Sequence, residues 1–271
     1  MISQLSVTHK IIVISGATGV LGESMTRSLA EAGAQVVVLG RTQSKVEALV
    51  DSINKAGHKA SGLLADVTSK EELLQSKEQL DAHYGYIDVL INAAGGNMKG
   101  AVITPDQSLH DVDLEAMRKV IDLNYIGSFL PIQVFLPLLE KSKNPSILNI
   151  SSVSAHLPLT RVMGYSSAKS AIENLTQYLA VEFAQKMKTP IRVNALAPGF
   201  FLTEQNRELL TNPDGSLTAR GETIITHTPL GKFGNPEDLH GAIHWLCSDA
   251  ANFVTGTVVT VDGGFKAFSG V

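Results

Sequence analysis

The sequence predicts one doubly wound α/β domain, a seven-stranded parallel sheet with helices on both faces. Three observations carry that expectation. Short β-branched runs alternate with longer amphipathic stretches along the whole chain. Most of the runs are apolar at every residue instead of every second one, the mark of strands covered on both sides. A glycine-rich turn, Gly16-Ala17-Thr18-Gly19-Val20-Leu21-Gly22, follows the first run and opens an amphipathic stretch. Strand, helix and strand in repetition build parallel sheets wrapped by crossover helices.

In chain order, strands are expected at Ile11–Ser15, Val36–Leu39, Leu63–Ala65, Val89–Asn92, Ile147–Ile150, Arg192–Leu196 and Val258–Val261. Between them, Gly22–Ala32 is rich in good helix formers. Gln43–Lys55, Lys70–His83, Glu115–Leu123 and Ala168–Gln185 place apolar residues at three-to-four spacing, the helical period. Residues 200–235 are the least regular. They hold the turn signal Asn212-Pro213-Asp214-Gly215 and a Thr228-Pro229 pair. A long irregular insertion in a compact domain is typically a lid or binding loop, so this stretch is expected to cover a substrate. No linker, low-complexity tract or short repeat interrupts the chain, and residues 1–271 read as one domain.

Composition narrows the function. Of 271 residues, 44% are hydrophobic, enough for a large single core. A net charge of −4 and no run of like charges leave no electrostatic footprint for nucleic acid. Cys247 is the sole cysteine, so no internal disulfide can form, which fits a reducing compartment. Met1–Lys10 is polar and does not resemble a signal peptide. No stretch reads as the roughly 20 apolar residues of a membrane span. A cytoplasmic protein with a small-molecule substrate, no bound metal and no membrane or nucleic-acid partner is the expectation.

The glycine turn has a specific use. Glycines let backbone N–H groups approach a pyrophosphate, and the helix that follows presents its positive end. An ordinary tight strand-to-helix turn is the alternative. After the second strand, a dinucleotide fold often places an acid for the adenosine ribose. Here the residues are Leu39-Gly40-Arg41-Thr42. A guanidinium suits a 2′-phosphate, which favours NADP over NAD; stacking on adenine or plain solvation is the other reading of Arg41. Asp66-Val67 follows the third strand, where a carboxylate can accept from an adenine amino group or serve a helix N-terminus.

Tyr165 and Lys169 are four residues apart, which places both side chains on one helix face. A phenol titrates near pH 10, and a nearby ammonium is expected to stabilise the phenolate and lower that value. None of the other four tyrosines has a lysine four positions later. Ser152 ends the fifth strand, where a hydroxyl points into the ligand crevice and can hold a carbonyl oxygen; capping the next segment is its alternative role. Asn124 lies mid-helix against propensity, either kinking the helix and holding a water beside Lys169 or serving as a buried structural amide.

From about Leu5 to Phe265 the sequence resembles the short-chain dehydrogenase/reductase family. The matching pieces occur in family order: the loop Ser15 to Gly22, Asp66, Asn92-Ala93-Ala94-Gly95, Asn124, Ser152, Tyr165-x-x-x-Lys169, Pro198-Gly199 with Thr203, and Val261-Asp262-Gly263-Gly264. The resemblance implies a seven-stranded Rossmann sheet, an NAD or NADP cofactor and an Asn124–Ser152–Tyr165–Lys169 tetrad. It implies Tyr165 as general acid/base and Lys169 as its pKa-lowering partner and ribose ligand. Ser152 would polarise the carbonyl, and Asn124 would position a relay water. It puts Ser15, Gly16, Thr18, Gly19, Val20, Leu21, Gly22, Arg41, Asp66, Val67, Asn92, Ala93, Ala94 and Gly95 along the cofactor. Pro198, Gly199, Phe200 and Thr203 fall at its nicotinamide end. It also implies a homotetramer; Ile172, Leu175 and Leu179 could serve such an interface as well as the core, and the C-terminal Phe265–Val271 could reach a neighbouring subunit. The glycine turn departs from the common Thr-Gly-x-x-x-Gly-x-Gly pattern: Ser15 replaces threonine, and Gly19-Val20 shifts the middle glycine by one. No basic residue stands inside the loop to mark NADP.

A narrower resemblance rests on residues 94–97, 199–206, 214–220 and 227–230. These segments resemble the D-mannonate oxidoreductases of this family (fructuronate reductases) and their gluconate 5-dehydrogenase relatives. That implies a sugar-acid substrate. Asn97, Lys99, Arg161, Gln205, Asn206 and Arg220 could meet its carboxylate and hydroxyls, and His156 could face the same pocket; exposed polar surface is the alternative for each. Other ketone substrates for the same chemistry, and a non-catalytic nucleotide sensor on the same fold, are the competing functions.

Overall fold

A computed structural model describes residues 3–203 and 206–270. Seven strands form one sheet: β1 (Ile11–Ser15), β2 (Gln35–Gly40), β3 (Lys59–Leu64), β4 (Val89–Asn92), β5 (Ser146–Ile150), β6 (Arg192–Pro198) and β7 (Val258–Val261). Every pairing is parallel, in the order β3-β2-β1-β4-β5-β6-β7. The uniform hydrophobicity of β1, β4 and β5 is explained by complete burial of each residue. At the outer edge β3 has an exposed or half-buried residue at five of six positions, and its Lys59-Ala60-Ser61 start is correspondingly polar.

Helices α1 (Val20–Glu31), α2 (Gln43–Lys55), α3 (Lys70–Tyr84), α4 (Leu114–Ile121), α5 (Gly127–Leu139) and α6 (Met163–Lys186) cover the faces. Short helices α7 (Arg207–Leu210) and α8 (Ala219–Thr226) lie in the substrate-loop region, and α9 (His240–Cys247) precedes β7. Two hydrophobic clusters sandwich the sheet. One gathers Val13, Leu90, Phe135, Leu138 and Leu179; the other gathers Ile12, Ile14, Met25, Leu29, Leu246 and Cys247. Ser24 and Ser28 of α1 contact His240 and His244 of α9 at 2.8 Å each, clamping the glycine-turn helix to the last one.

Three expectations change. The run Leu114–Leu139 is long and apolar enough to cross a membrane, contrary to the sequence reading, but half of its apolar window is buried, with Leu130, Phe135 and Leu138 in the core. Ile172, Leu175 and Leu179, open to a core or an interface role, narrow to the core, being buried within the chain, while α6 exposes Tyr178 and Val181. Residues 200–235 are less irregular than expected, since they fold into α7 and α8.

The order places a topological switch between β1 and β4. Their following loops leave in opposite directions and open a crevice at the carboxyl ends of the strands.

Candidate active site

The crevice has a volume of about 510 Å3. Its floor is the turn between β1 and α1. Gly16 adopts φ +68°, a conformation open to glycine, and a Cβ there would lie 2.6 Å from the Ala93 and Ala94 backbone. A Cβ on Gly22 would lie 2.1 Å from the Gly16 carbonyl oxygen, so the helix packs directly on the turn. Thr18, Gly19, Val20, Leu21 and Gly22 line the crevice, with Gly19 as the α1 N-cap and no side chain capping it. The first-turn amides of α1 therefore remain available to an anion. Val20, which stands where the family pattern has glycine, is 37% exposed.

Ser15 lies beneath this floor. Its hydroxyl accepts from Ala94 N at 3.4 Å and donates to Ile91 O at 3.5 Å, tying the glycine turn to residues 93–95. Asn92 also lies below the wall instead of lining it: Nδ2 donates to Asn149, whose own Nδ2 donates to Thr176. The Asn92 Oδ1 is buried with no protein partner, an unsatisfied acceptor just under the crevice.

At one end stands Arg41, whose guanidinium contacts Asp66 Oδ2 at 3.2 Å. Asp66 Oδ1 accepts from Thr68 N and Oγ1. The two residues assigned separately to phosphate and adenine are thus paired with each other, and Asp66 does not line the crevice, whereas Val67 does. Lys45, one turn into α2, adds a second cation to the lining that the sequence reading missed. Its signal was its place one turn beyond Arg41-Thr42.

At the other end, Ser152, Tyr165 and Lys169 meet. The Ser152 hydroxyl lies close enough to the Tyr165 phenol to lower its pKa, and it accepts Ser154 N at 3.2 Å, so it caps the following turn as well. Lys169 is buried, donates to Ile150 O at 2.7 Å, and lies 5.5 Å from the centre of the Tyr165 ring. Burial pulls its ammonium down from 10.5 to about 8. The phenol moves against the expected direction. Desolvation raises it above its ordinary value, and the bond from Ser152 only partly opposes that. The ammonium stands over the ring and is bonded to the Ile150 carbonyl.

Asn124 occupies a π-helical turn, Asp122–Ile126, between α4 and α5. The sequence reading of a local helix distortion is met there, and both polar atoms of the side chain are engaged with backbone. Nδ2 donates to Gly96 O and Val120 O, and Oδ1 accepts from Gly96 N. The amide therefore straps residues 95–96 in place. A Cβ on Gly95 would fall 2.7 Å from Asn124 Oδ1 and 3.2 Å from Lys169 Nζ, so this glycine brings the two side chains together.

Pro198, Gly199, Phe200 and Thr203 line the same end, Phe200 held edge-on against Phe265 at 5.0 Å. Of the substrate candidates, Asn206 lines the crevice, with its amide spent on Thr203 N and Phe201 O. Asn97 is exposed and does not line the crevice. His156 turns away toward Glu173, at 3.1 Å, a carboxylate that also accepts from Ser151. Arg161 sits on the loop before α6, Arg220 in the first turn of α8, and Gln205 lies outside the described residues.

A nicotinamide dinucleotide fits these residues. The cradle at Gly16 excludes a side chain, the α1 amides are unspent, and the Asn92 acceptor is orphaned. Known proteins agree. Residues 16–266 match the family model described as enoyl-(acyl carrier protein) reductase. An uncharacterized oxidoreductase, UxuB, of Bacillus subtilis is 45% identical over 97% of this chain and 96% of its own. A 2-dehydro-3-deoxy-D-gluconate 5-dehydrogenase of Formosa agariphila is 34% identical over 97% and 95%. The structure of a proposed D-mannonate oxidoreductase of Haemophilus influenzae, with bound NAD, superposes with TM-score 0.91 at 38% identity, covering 98% of both chains. A gluconate 5-dehydrogenase of Burkholderia cenocepacia, in complex with NADP and tartrate, gives TM-score 0.86 at 28% identity and the same coverage.

Proposed function

Since the protein belongs to the short-chain dehydrogenase/reductase family of NAD(P)-dependent oxidoreductases, we propose that its substrates are a keto sugar acid and the matching hydroxy acid, with D-fructuronate and D-mannonate as the pair. The observation that carries the reading is the meeting of Ser152, Tyr165 and Lys169 at the crevice end opposite Arg41. The sugar-acid choice draws on the relatives named for D-mannonate and gluconate chemistry and on the resemblance of residues 199–230.

The dinucleotide, when bound, supplies the hydride; proton movement falls to the protein. The substrate carbonyl oxygen sits between the Ser152 hydroxyl and the Tyr165 phenol, which donate to it together. As negative charge grows on that oxygen, Tyr165 gives up its proton. A phenol raised by burial is protonated at neutral pH, the state reduction needs. Oxidation needs the phenolate, so it is favoured at alkaline pH. Lys169 has three N–H donors and spends one on Ile150 O. The others face the crevice beside Gly95, where ribose hydroxyls would lie, and its charge stabilises the phenolate as it forms. Asn124 acts by fixing the 95–96 strap against Lys169. Residues 200–235, with α7 and α8, cover the substrate.

NADP is the proposed cofactor. No acid follows β2, and Arg41 and Lys45 offer two cations. The Arg41–Asp66 pair is no obstacle. With 64% of the Arg41 side chain exposed, such a pair is worth about 1 kcal/mol or less, and a 2′-phosphate can displace the carboxylate.

The test is a spectrophotometric assay with D-fructuronate, 5-ketogluconate and an uncharged ketose, each with NADPH and NADH. Fastest turnover is expected with D-fructuronate and NADPH. Good turnover of other ketones with none of D-fructuronate ends the substrate assignment.

A further inference from the structure

Two arginines that the chemistry above does not use stand on segments that adjoin crevice residues Tyr165 and Asn206, without lining the crevice themselves. Arg161 lies four residues before Tyr165. Arg220 is in the first turn of α8, whose Gly221 packs on the Leu210 carbonyl of α7, just beyond crevice residues Thr203 and Asn206. The Arg220 Nη1 donates to Thr160 Oγ1 at 3.3 Å, so it ties α8 to the 157–162 loop. The 97–113 loop joins them through Ile103 N, which donates to Arg161 O at 3.0 Å.

The pair is built against its own electrostatics. Both side chains are only half exposed. Among the described residues neither has a carboxylate partner. The Arg220 Nε is buried with no acceptor. The guanidiniums are near enough that burial first, and then the Arg161 charge, depress Arg220 below its ordinary value. Arg161 also holds φ +76°, the left-handed region that a non-glycine residue rarely enters. A half-buried like-charge pair, one member strained and one missing an acceptor, is unfavourable without a ligand. One planar anion offsets the repulsion and the missing acceptor together, because a carboxylate takes two parallel N–H donors from a guanidinium.

We propose that Arg161 and Arg220 jointly bind the carboxylate of a polyhydroxy-acid substrate and thereby select acids over neutral sugars. The assignment rests on the sugar-acid reading and deepens it, since it names the atoms that make the enzyme an acid reductase.

The experiment titrates D-mannonate and tartrate into the wild-type enzyme and into Arg220→Met and Arg161→Gly by calorimetry, with kinetics on D-fructuronate and an uncharged ketose alongside. Each variant should bind the acids roughly tenfold to a hundredfold more weakly, the range of a charge-assisted hydrogen bond. KM for the keto acid should rise with kcat nearly unchanged, and neutral-ketose turnover should be unaltered. Glycine is at home at φ +76°, so Arg161→Gly should keep the wild-type Tm and exclude misfolding as the cause. Wild-type affinity for the acids in both variants overturns the proposal, as does an enzyme that binds neither acid. Turnover of D-fructuronate with variants unaffected would sink this assignment alone. Acid binding lost in the variants, without D-fructuronate turnover, would sink the substrate choice alone.

Discussion

Lys169→Met should make the protein's stability less dependent on pH, and the size of the change follows from burial of one ammonium. Lys169 titrates at about 8 in the folded protein against 10.5 when solvated. Between those values the unfolded protein holds a proton that the folded one has lost. The slope of unfolding free energy with pH is then positive, and wild-type stability rises with pH in that window. A gap of 2.5 pKa units opposes folding by about 3 kcal/mol at pH 7, of which roughly 2.5 kcal/mol is relieved by pH 10. Methionine cannot titrate. Urea unfolding of both proteins at pH 7 and pH 10 measures the difference of differences, in which the lost bond to Ile150 O and the packing change cancel. Wild type should gain on Lys169→Met by roughly 2 to 3 kcal/mol between the two pH values. An unchanged gap means the amine is not desolvated, and the account of how it backs the phenol fails with it.

Tyr165→Phe should lower kcat by about two to four orders of magnitude while the fold and dinucleotide affinity persist. Fluorescence titration of the nucleotide beside steady-state rates checks this, and a near-normal kcat would remove Tyr165 from the chemistry. Gly16→Ala forces a Cβ to 2.6 Å from the Ala93–Ala94 backbone at φ +68°; it should cost about 1–3 kcal/mol and abolish the rise in Tm that nucleotide gives the wild type. Arg41→Ala should raise KM for NADPH at least about tenfold and leave NADH little changed. Equal effects on both cofactors would refute a 2′-phosphate role. Since burial raises the Tyr165 phenol, the oxidation rate should climb through the alkaline range, and a profile flat from pH 7 to about pH 10 would contradict that.

The sheet was readable because burial on both faces writes itself as unbroken apolar runs, and six of the seven expected strands recur within a residue or two. The third was misjudged at its start: Lys59-Ala60-Ser61 belongs to an exposed edge, where polar residues are tolerated. Helix α5 was not anticipated. It is apolar on nearly all sides and carries Pro131 and Pro137, so it shows neither a helical stripe nor freedom from breakers, and only its place inside the core explains it. Of the site, the glycine turn and the Tyr165–Lys169 spacing were legible because both are local. Lys45, the Arg41–Asp66 contact and the His156–Glu173 contact were not, for each depends on how separate loops fold back. The direction of the phenol's shift was missed for a related reason: spacing along a helix says where the ammonium is, and nothing of how dry the ring becomes.

The extra residue in the Asp122–Ile126 turn has a geometric corollary. One residue corresponds to about 100° of rotation about a helix axis. Upstream, Ala116 and Val120 face Met98 and Tyr165; downstream, Leu130, Phe135 and Leu138 face the sheet. A single rod thus serves two differently oriented neighbours, its halves joined by an offset. Removing one residue there would leave every downstream side group pointing a third of a turn away from its present place, so the number of residues across this turn is as constrained as any group in the crevice.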